Sequence, residues 1–272
     1  MTASVDSGLV YDVGAHRGED TQFYLDKGFR VVAIEANPAL HPELETRFRR
    51  QLGSGQLTLL PCAIARTEGW VDFYVNEKAS VWGTTDAAWA LRNKRLGAPS
   101  RLMSVRAQRF EDVLIRHGVP HYLKIDIEGA DMLCVEALRS MPAVPEFLSI
   151  ESEKCVWEDL LREFDVLESL GYQKFKVVDQ RRVADQVPPR PPQEGSYIAH
   201  RFAQGCSGLF GREVPGEWLS RDEAVAKYRR IFTRYRLLGD TTLVGQVIHR
   251  IPYAGDLLGP GWYDTHACHE RS

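Results

Sequence analysis

Short apolar runs alternate with amphipathic segments along most of the chain. The runs predict buried strands over residues 8–13, 31–35, 57–63, 122–127, 147–150 and 172–178. Between them, apolar residues recur three and four positions apart, as on one face of a helix, most clearly over 157–169. Strands that alternate with helices in this way predict an α/β fold, in which a mostly parallel sheet is covered by helices on both faces.

The C-terminal third departs from this alternation. The proline-rich stretch 188–192 predicts an extended connector, and the strand-like stretch 196–202 after it predicts the last strand of the sheet. A capping-box sequence predicts a helix over about 221–235. We therefore expect one domain over 1–204 and a C-terminal helical and irregular extension over 205–272, packed on that domain.

Two irregular segments are candidates for covering a site. Residues 76–100 follow a short alternating segment and suit a lid or a substrate loop. The aromatic segment 262–266 near the end of the chain suits either plain packing or a cover over a bound substrate.

Composition excludes several classes of protein. The chain has 272 residues, a net charge of −3 and 44% hydrophobic residues, so nothing in its charge points to nucleic acid or to an anionic membrane. No apolar run approaches the about 20 residues that span a bilayer, and the polar N-terminus leaves no room for a signal peptide before the first strand. Five scattered cysteines without a C-x-x-C pair favour a reduced setting. We expect a cytoplasmic protein without nucleic-acid or membrane partners.

The turn after the first strand indicates a nucleotide-like ligand. Gly14 and Gly18 enclose three residues, and no third glycine precedes the following helix, so the turn lacks the bare backbone that a pyrophosphate needs. The second strand ends in Glu35, an acid placed where such folds bind the two hydroxyls of a ribose. A ligand with a ribose but no phosphates fits this pattern, and S-adenosylmethionine is the common one.

Three blocks of sequence, 12–21, 32–38 and 123–130, together resemble the signature of FkbM-type methyltransferases. These are class I S-adenosylmethionine-dependent enzymes, and the resemblance covers roughly residues 8–180. It implies a Rossmann-like, mostly parallel sheet of seven strands whose last strand is antiparallel. It also implies methyl transfer, usually to a hydroxyl or carboxylate oxygen of a small molecule or a glycan.

The resemblance implies a cofactor site along the ends of the first three strands. Glu35 is expected to bind the ribose, the backbone at Cys62 and Ala63 the adenine edge, and Asp12 the amino-acid end. The cofactor-binding residues predicted in this way are Asp12, Gly14, Ala15, His16, Gly18, Thr21, Glu35, Ala36, Cys62, Ala63 and Asp126.

Candidate catalytic residues come mainly from the third block. Lys124, Asp126 and Glu128 alternate along a predicted central strand, where charges are costly to bury unless they are paired or used. We expect Asp126 and Glu128 to face the reacting end of the cofactor, with His16 as a further candidate. The alternative is an ion pair between Lys124 and either acid that only stabilises the strand end.

Glu151 and Glu153 follow the next predicted strand and are expected beside Asp126 and Glu128. Such a group of carboxylates suits Mg²⁺, or it supplies a general base, and the sequence leaves both open without defining a metal site.

Three other functions are compatible with an α/β fold of this kind. A nicotinamide-dependent oxidoreductase uses a similar sheet, although the glycine spacing and the third block argue against it. A non-catalytic binding module would not need Gly14, Glu35 and Asp126 together. A nucleic-acid methyltransferase would have to use the arginines near residues 47–50 and 229–236, which are more simply solvated helix faces. A homodimer is compatible with the sequence.

Overall fold

The structure is a computed structural model that describes residues 4–78, 80–95, 97–152, 156–238 and 261–269. Its strands are β1 (Asp6–Val13), β2 (Arg30–Ile34), β3 (Leu57–Leu60), β4 (Ala63–Ile64), β5 (Gly69–Asn76), β6 (Ser100–Gln108), β7 (Pro120–Ile125), β8 (Phe147–Glu151), β9 (Lys174–Asp179) and β10 (Tyr263–Cys268). Its helices are α1 (Glu19–Asp26), α2 (His41–Arg47), α3 (Arg49–Ser54), α4 (Ala87–Arg95), α5 (Phe110–His117), α6 (Asp131–Ala137), α7 (Trp157–Ser169) and α8 (Arg221–Leu238).

The main sheet has seven strands in the order β3-β2-β1-β7-β8-β10-β9. Every neighbouring pair from β3 to β8 is parallel, and β10 is antiparallel to both β8 and β9. The predicted fold is confirmed: the sheet is mostly parallel, and the last strand of the chain is the antiparallel one. Because the parallel strands end at the same edge, the loops that follow β1, β2, β3 and β7 lie side by side, where ligands bind in open α/β sheets.

The central strand β1 is apolar on both faces because helices cover both sides of the sheet. Leu9, Tyr11 and Val13 belong to one hydrophobic cluster, whereas Val10 belongs to the cluster on the opposite side. This packing fixes the strand firmly, so the turn that follows Val13 starts from a rigid position.

The expectation that 196–202 forms the last strand is wrong. This stretch has no regular structure; the Ser196 N–H donates to the Lys27 carbonyl at 2.8 Å, and Phe202 packs on the ring of Phe23. The last strand is β10, which lies between β8 and β9, so the predicted extension supplies an inner strand of the sheet. The segment 262–266 therefore takes part in the sheet instead of forming a separate cover.

The sequence hides β10 because its buried residues are largely polar. Asp264 accepts a hydrogen bond from Gln180 Nε2 at 2.5 Å, and the Thr265 hydroxyl lies within hydrogen-bond distance of both Ser152 and Tyr228. These partners come from distant parts of the chain. They satisfy polar groups that would otherwise be costly to bury between β8 and β9.

A second sheet of three strands, in the order β4-β6-β5, follows β3 in the chain. Its β5 and β6 form an antiparallel pair with Phe73 and Val105 on the buried face. Between β5 and α4 the structure describes residues 77–78 and 80–86, and the Tyr74 and Thr84 backbones exchange two hydrogen bonds that hold Thr84 against β5. Within the described ranges, no helix has the length and apolar character needed to cross a membrane.

Candidate active site

A cavity of about 1050 Å³, including its open mouth, lies at the carboxyl edge of the main sheet. It runs past the ends of β1, β2 and β7 and past the residues that follow β3. Eight of the predicted site residues line it: Gly14, Ala15, His16, Glu35, Ala36, Cys62, Ala63 and Asp126. Four others, Asp12, Gly18, Thr21 and Glu128, are not among its lining residues.

Glu35 holds the turn after β1 as well as lining the cavity. Its Oε2 accepts the His16 N–H at 2.7 Å and its Oε1 accepts the Asn37 N–H at 2.7 Å. Burial raises the pKa of this carboxyl group, although both N–H groups oppose the shift. Each carboxylate oxygen can accept a second hydrogen bond, so Glu35 can still bind two hydroxyl donors such as those of a ribose.

The two glycines of the turn have different roles: Gly14 lines the cavity as predicted, whereas Gly18 does not. Gly14 has φ +86°, and a Cβ atom there would overlap the carbonyl oxygen of Asp126. It therefore permits the turn after β7 to lie directly against the turn after β1. Gly18 has φ +79°, and a Cβ atom there would meet the ring of Phe48. Its role is the packing of the turn against the α2–α3 region, not contact with the cavity.

Asp12 lies behind the cavity wall and binds protein groups. One of its oxygens accepts the Lys124 ammonium at 2.9 Å and the other accepts the Thr21 hydroxyl at 2.5 Å. Burial alone would lower the pKa of Lys124, but the carboxylates of Asp12, Asp126 and Asp20 raise it well above its usual value. Asp12 and Thr21 thus position a charged lysine in the cavity wall, instead of contacting the cavity as predicted.

Asp126 and Glu128 occupy a turn, because β7 ends at Ile125. The expectation that strand alternation extends to Glu128 is wrong. Glu128 has φ 50°, a left-handed conformation that is rare for a residue with a side chain, and its carbonyl oxygen accepts the Thr84 hydroxyl at 2.6 Å. The Asp131 carboxylate accepts the N–H groups of Ile127 and Gly129 and so closes the turn.

This turn brings three carboxylates together. One oxygen from each of Asp126, Glu128 and Glu151 lies within 4.8 Å of the others. The predicted proximity of these three acids is confirmed, whereas Glu153 lies outside the described residues. Lys124 Nζ lies 3.9 Å from Asp126, so the predicted ion pair with Asp126 is present, but the closest partner of the lysine is Asp12.

The segment between β5 and α4 forms one wall of the cavity. Ser80, Val81, Gly83 and Thr85 line it, and the Ser80 hydroxyl lies 2.8 Å from His16 Nε2. Part of the segment 76–100 therefore lines the cavity, and its role as a lid or a substrate loop stays a prediction. His16 joins this segment to the glycine turn.

Cys62 follows β3 at the other end of the cavity. Burial raises the pKa of its thiol to about 11, so the group is uncharged at neutral pH and does not suit a nucleophile. Cys62 and Ala63 both line this end of the cavity, where they present small, apolar side chains.

Several cavity residues escape prediction from the sequence. Asp20 lines the wall beside Lys124, and Ala203, Gln204 and Gly205 close the cavity from a segment far along the chain. Asp20 lies inside the first signature block, and its acidic side chain is the only sequence feature that could mark it as a site residue. The segment 203–205 carries no local pattern that would indicate a site.

The chain has a Rossmann-like α/β fold, with a cavity at the carboxyl ends of its parallel strands. A model of the "Methyltransferase FkbM domain" family matches residues 12–174, more than half of the chain, and this match includes all three signature blocks. The chain therefore belongs to the FkbM methyltransferase family. A comparison with curated protein sequences finds no significant match.

Among solved structures, similar chains are also methyltransferases by their descriptions. A precorrin-6y C5,15-methyltransferase from Geobacter metallireducens is 13% identical, with a TM-score of 0.36 over 65% of this chain and 69% of that one. A putative sarcosine dimethylglycine methyltransferase from Galdieria sulphuraria is 7% identical, with a TM-score of 0.41 over 98% of this chain and 80% of that one. A 1,6-didemethyltoxoflavin-N1-methyltransferase from Burkholderia thailandensis, with bound S-adenosylhomocysteine, is 13% identical. Its TM-score is 0.31 over 69% of this chain and 66% of that one.

Proposed function

We propose that this protein transfers the methyl group of S-adenosylmethionine to a hydroxyl or carboxylate oxygen of a small molecule or a glycan. The observation that carries the proposal is the position of Glu35, which lines the middle of the cavity with a spare acceptor site on each oxygen. The FkbM family match supports methyl transfer, and it weighs against the oxidoreductase and the non-catalytic alternatives.

The order of the strands supports one orientation of the cofactor. Cys62 and Ala63 follow β3 and offer an apolar surface to the adenine, while Glu35 follows β2 and is suited to the ribose. Gly14 and Ala15 follow β1, so the methionine portion would extend toward β7 and Asp126. The cofactor supplies a methyl group that its sulfonium already activates.

Asp126 is the candidate for receiving the acceptor's proton. Its side chain is 42% exposed, lines the cavity and has Glu128 and Glu151 beside it. A carboxylate at this position can accept the proton of a hydroxyl as the oxygen attacks the methyl carbon. A carboxylate acceptor would need no base, and in either case the enzyme must align oxygen, carbon and sulfur in line and keep water out. The segment with Ser80 and Val81, which lines the cavity, is the candidate for keeping water out. The proposal includes no metal ion.

The first test is calorimetric titration of the purified protein with S-adenosylhomocysteine, with NADH as the control ligand. We expect saturable binding of S-adenosylhomocysteine only. Absence of that binding, or binding of NADH alone, would overturn the proposal. Methyl transfer from labelled S-adenosylmethionine to matched sets of hydroxyl, carboxylate and amine acceptors then tests the reacting atom, and activity confined to amines would refute O-methylation.

A further inference from the structure

Asp20, in the first turn of α1, is a buried carboxylate that the contacts described for it do not satisfy. It lines the cavity and is only 6% exposed. Its two oxygens share a single donor, the Ser207 N–H, at 3.1 and 3.0 Å. Lys124 Nζ lies 3.8 Å from Oδ2, which is beyond hydrogen-bond distance. A buried carboxylate has room for about four hydrogen bonds, so this one is left with free acceptor sites toward the cavity.

Lys124 has the complementary feature. Its ammonium donates to Asp12 Oδ1 at 2.9 Å and to the Gly14 carbonyl at 3.1 Å. An ammonium has three N–H donors, and the contacts described for Lys124 engage two of them. Lys124 also lines the cavity. One wall therefore presents a carboxylate and an ammonium side by side, each with unused hydrogen-bonding capacity.

This pair matches the charges of a free α-amino acid, whose ammonium and carboxylate are separated by one carbon. Asp12 does not compete for the same role, because it is fully buried behind the wall and does not line the cavity; its carboxylate binds Lys124 and Thr21. The pair also lies at the appropriate end of the cavity, since Lys124 is on β7, beside β1, whereas the adenine and ribose positions follow β3 and β2.

We propose that Asp20 and Lys124 bind the amino-acid end of S-adenosylmethionine, with Asp20 accepting hydrogen bonds from the ammonium and Lys124 donating to the carboxylate. This inference rests on the proposed function. The electrostatics agree with it: burial raises the pKa of Asp20 to about 6 despite the neighbouring Lys124, so a cationic ligand group would relieve an unfavourable charge. The Ser207 hydrogen bond also ties the Ala203–Gly205 wall to Asp20.

The test compares three ligands that differ only at the amino-acid end. S-adenosylhomocysteine carries both charges, its decarboxylated analogue keeps only the ammonium, and 5′-methylthioadenosine has neither. In the wild-type protein, we expect affinity to fall in that order. Asp20→Asn should weaken S-adenosylhomocysteine and its decarboxylated analogue about 10- to 100-fold, the range for a hydrogen bond to a charged group, and leave 5′-methylthioadenosine within about twofold. Asp26→Asn, an exposed change on the same helix, should alter none of the three affinities.

The outcomes separate the inference from the function on which it depends. If the wild-type protein binds none of the three ligands, the proposed function fails, and the inference fails with it. If Asp20→Asn weakens all three equally, Asp20 only holds the 203–207 segment, and the inference is overturned while the function stands. If Asp20→Asn fails to fold, titrations of the wild-type protein still test the inference. Equal affinity for S-adenosylhomocysteine and 5′-methylthioadenosine would exclude a subsite for the amino-acid end.

Discussion

The backbone N–H of His16 donates to Oε2 of Glu35 at 2.7 Å, and this bond joins the turn after β1 to the end of β2. His16 has φ 48°, so a residue with a side chain is held in a conformation that usually costs energy. The carboxylate that is suited to a ribose thus also shapes the turn along which the rest of the cofactor would lie. Changes at Glu35 should therefore affect both ligand affinity and local order.

Replacement of Glu35 by alanine tests this relationship. We expect Glu35→Ala to weaken S-adenosylhomocysteine binding by about 1–3 kcal/mol, because a buried, charge-assisted contact to the ribose is lost. Calorimetry measures the change, and circular dichroism verifies that the fold is retained. Glu45→Ala, an exposed change on α2, is the control and should leave affinity as it is. Unchanged affinity in a folded Glu35→Ala protein would remove Glu35 from the cofactor site.

Asp126→Asn tests the proton acceptor. With a hydroxyl acceptor we expect the rate constant of methyl transfer to fall about 10²- to 10⁴-fold, because an amide cannot take the proton, while affinity for S-adenosylhomocysteine and the melting temperature change little. Single-turnover methyl transfer is the measurement. Asp72→Asn, an exposed change on β5, is a matched control. If Asp126→Asn keeps full activity on a hydroxyl acceptor, another group removes the proton.

What the sequence could predict depended on how local each signal was. Strand β1, its glycine turn and Glu35 are encoded in short consecutive stretches, so their placement followed from pattern and resemblance. Strand β10 was missed because Asp264 and Thr265 are buried against partners remote in the chain. The sequence alone likewise does not show which of Asp12 and Asp20 lines the cavity. That depends on the position of Lys124, which comes from a distant part of the chain.

Gly14 offers a prediction about stability. We expect Gly14→Ala to cost about 2–5 kcal/mol in unfolding free energy, because the new methyl group adds an overlap with the Asp126 carbonyl to the strain of a positive φ. Gly55→Ala is the control, since Gly55 also has a positive φ, of 74°, but has open space around it, and we expect a cost of about 1–2 kcal/mol. Urea unfolding gives both values. Equal costs would show that the turn after β7 can move away from Gly14.

The pH dependence of binding follows from the raised pKa of Asp20. In the free protein this pKa is about 6, held up by burial and by the nearby Asp12 and Asp126 and opposed by Lys124. Protonated Asp20 has no negative charge and therefore binds a ligand ammonium only weakly, so the proton must leave before the charge-assisted contact forms. Affinity for S-adenosylhomocysteine relative to 5′-methylthioadenosine should therefore rise as the pH increases from 5 to 7.5 and then level off.

The ratio of the two dissociation constants isolates this effect. Glu35 also has a raised pKa, but it would bind the ribose that both ligands share, so its titration cancels in the ratio. In Asp20→Asn the ratio should be flat over the same pH range, because the titrating group is gone. A ratio that rises equally in the wild type and in Asp20→Asn would assign the pH dependence to a different group, and a ratio that falls with pH in the wild type would contradict the role of an ionised Asp20 in binding the ammonium.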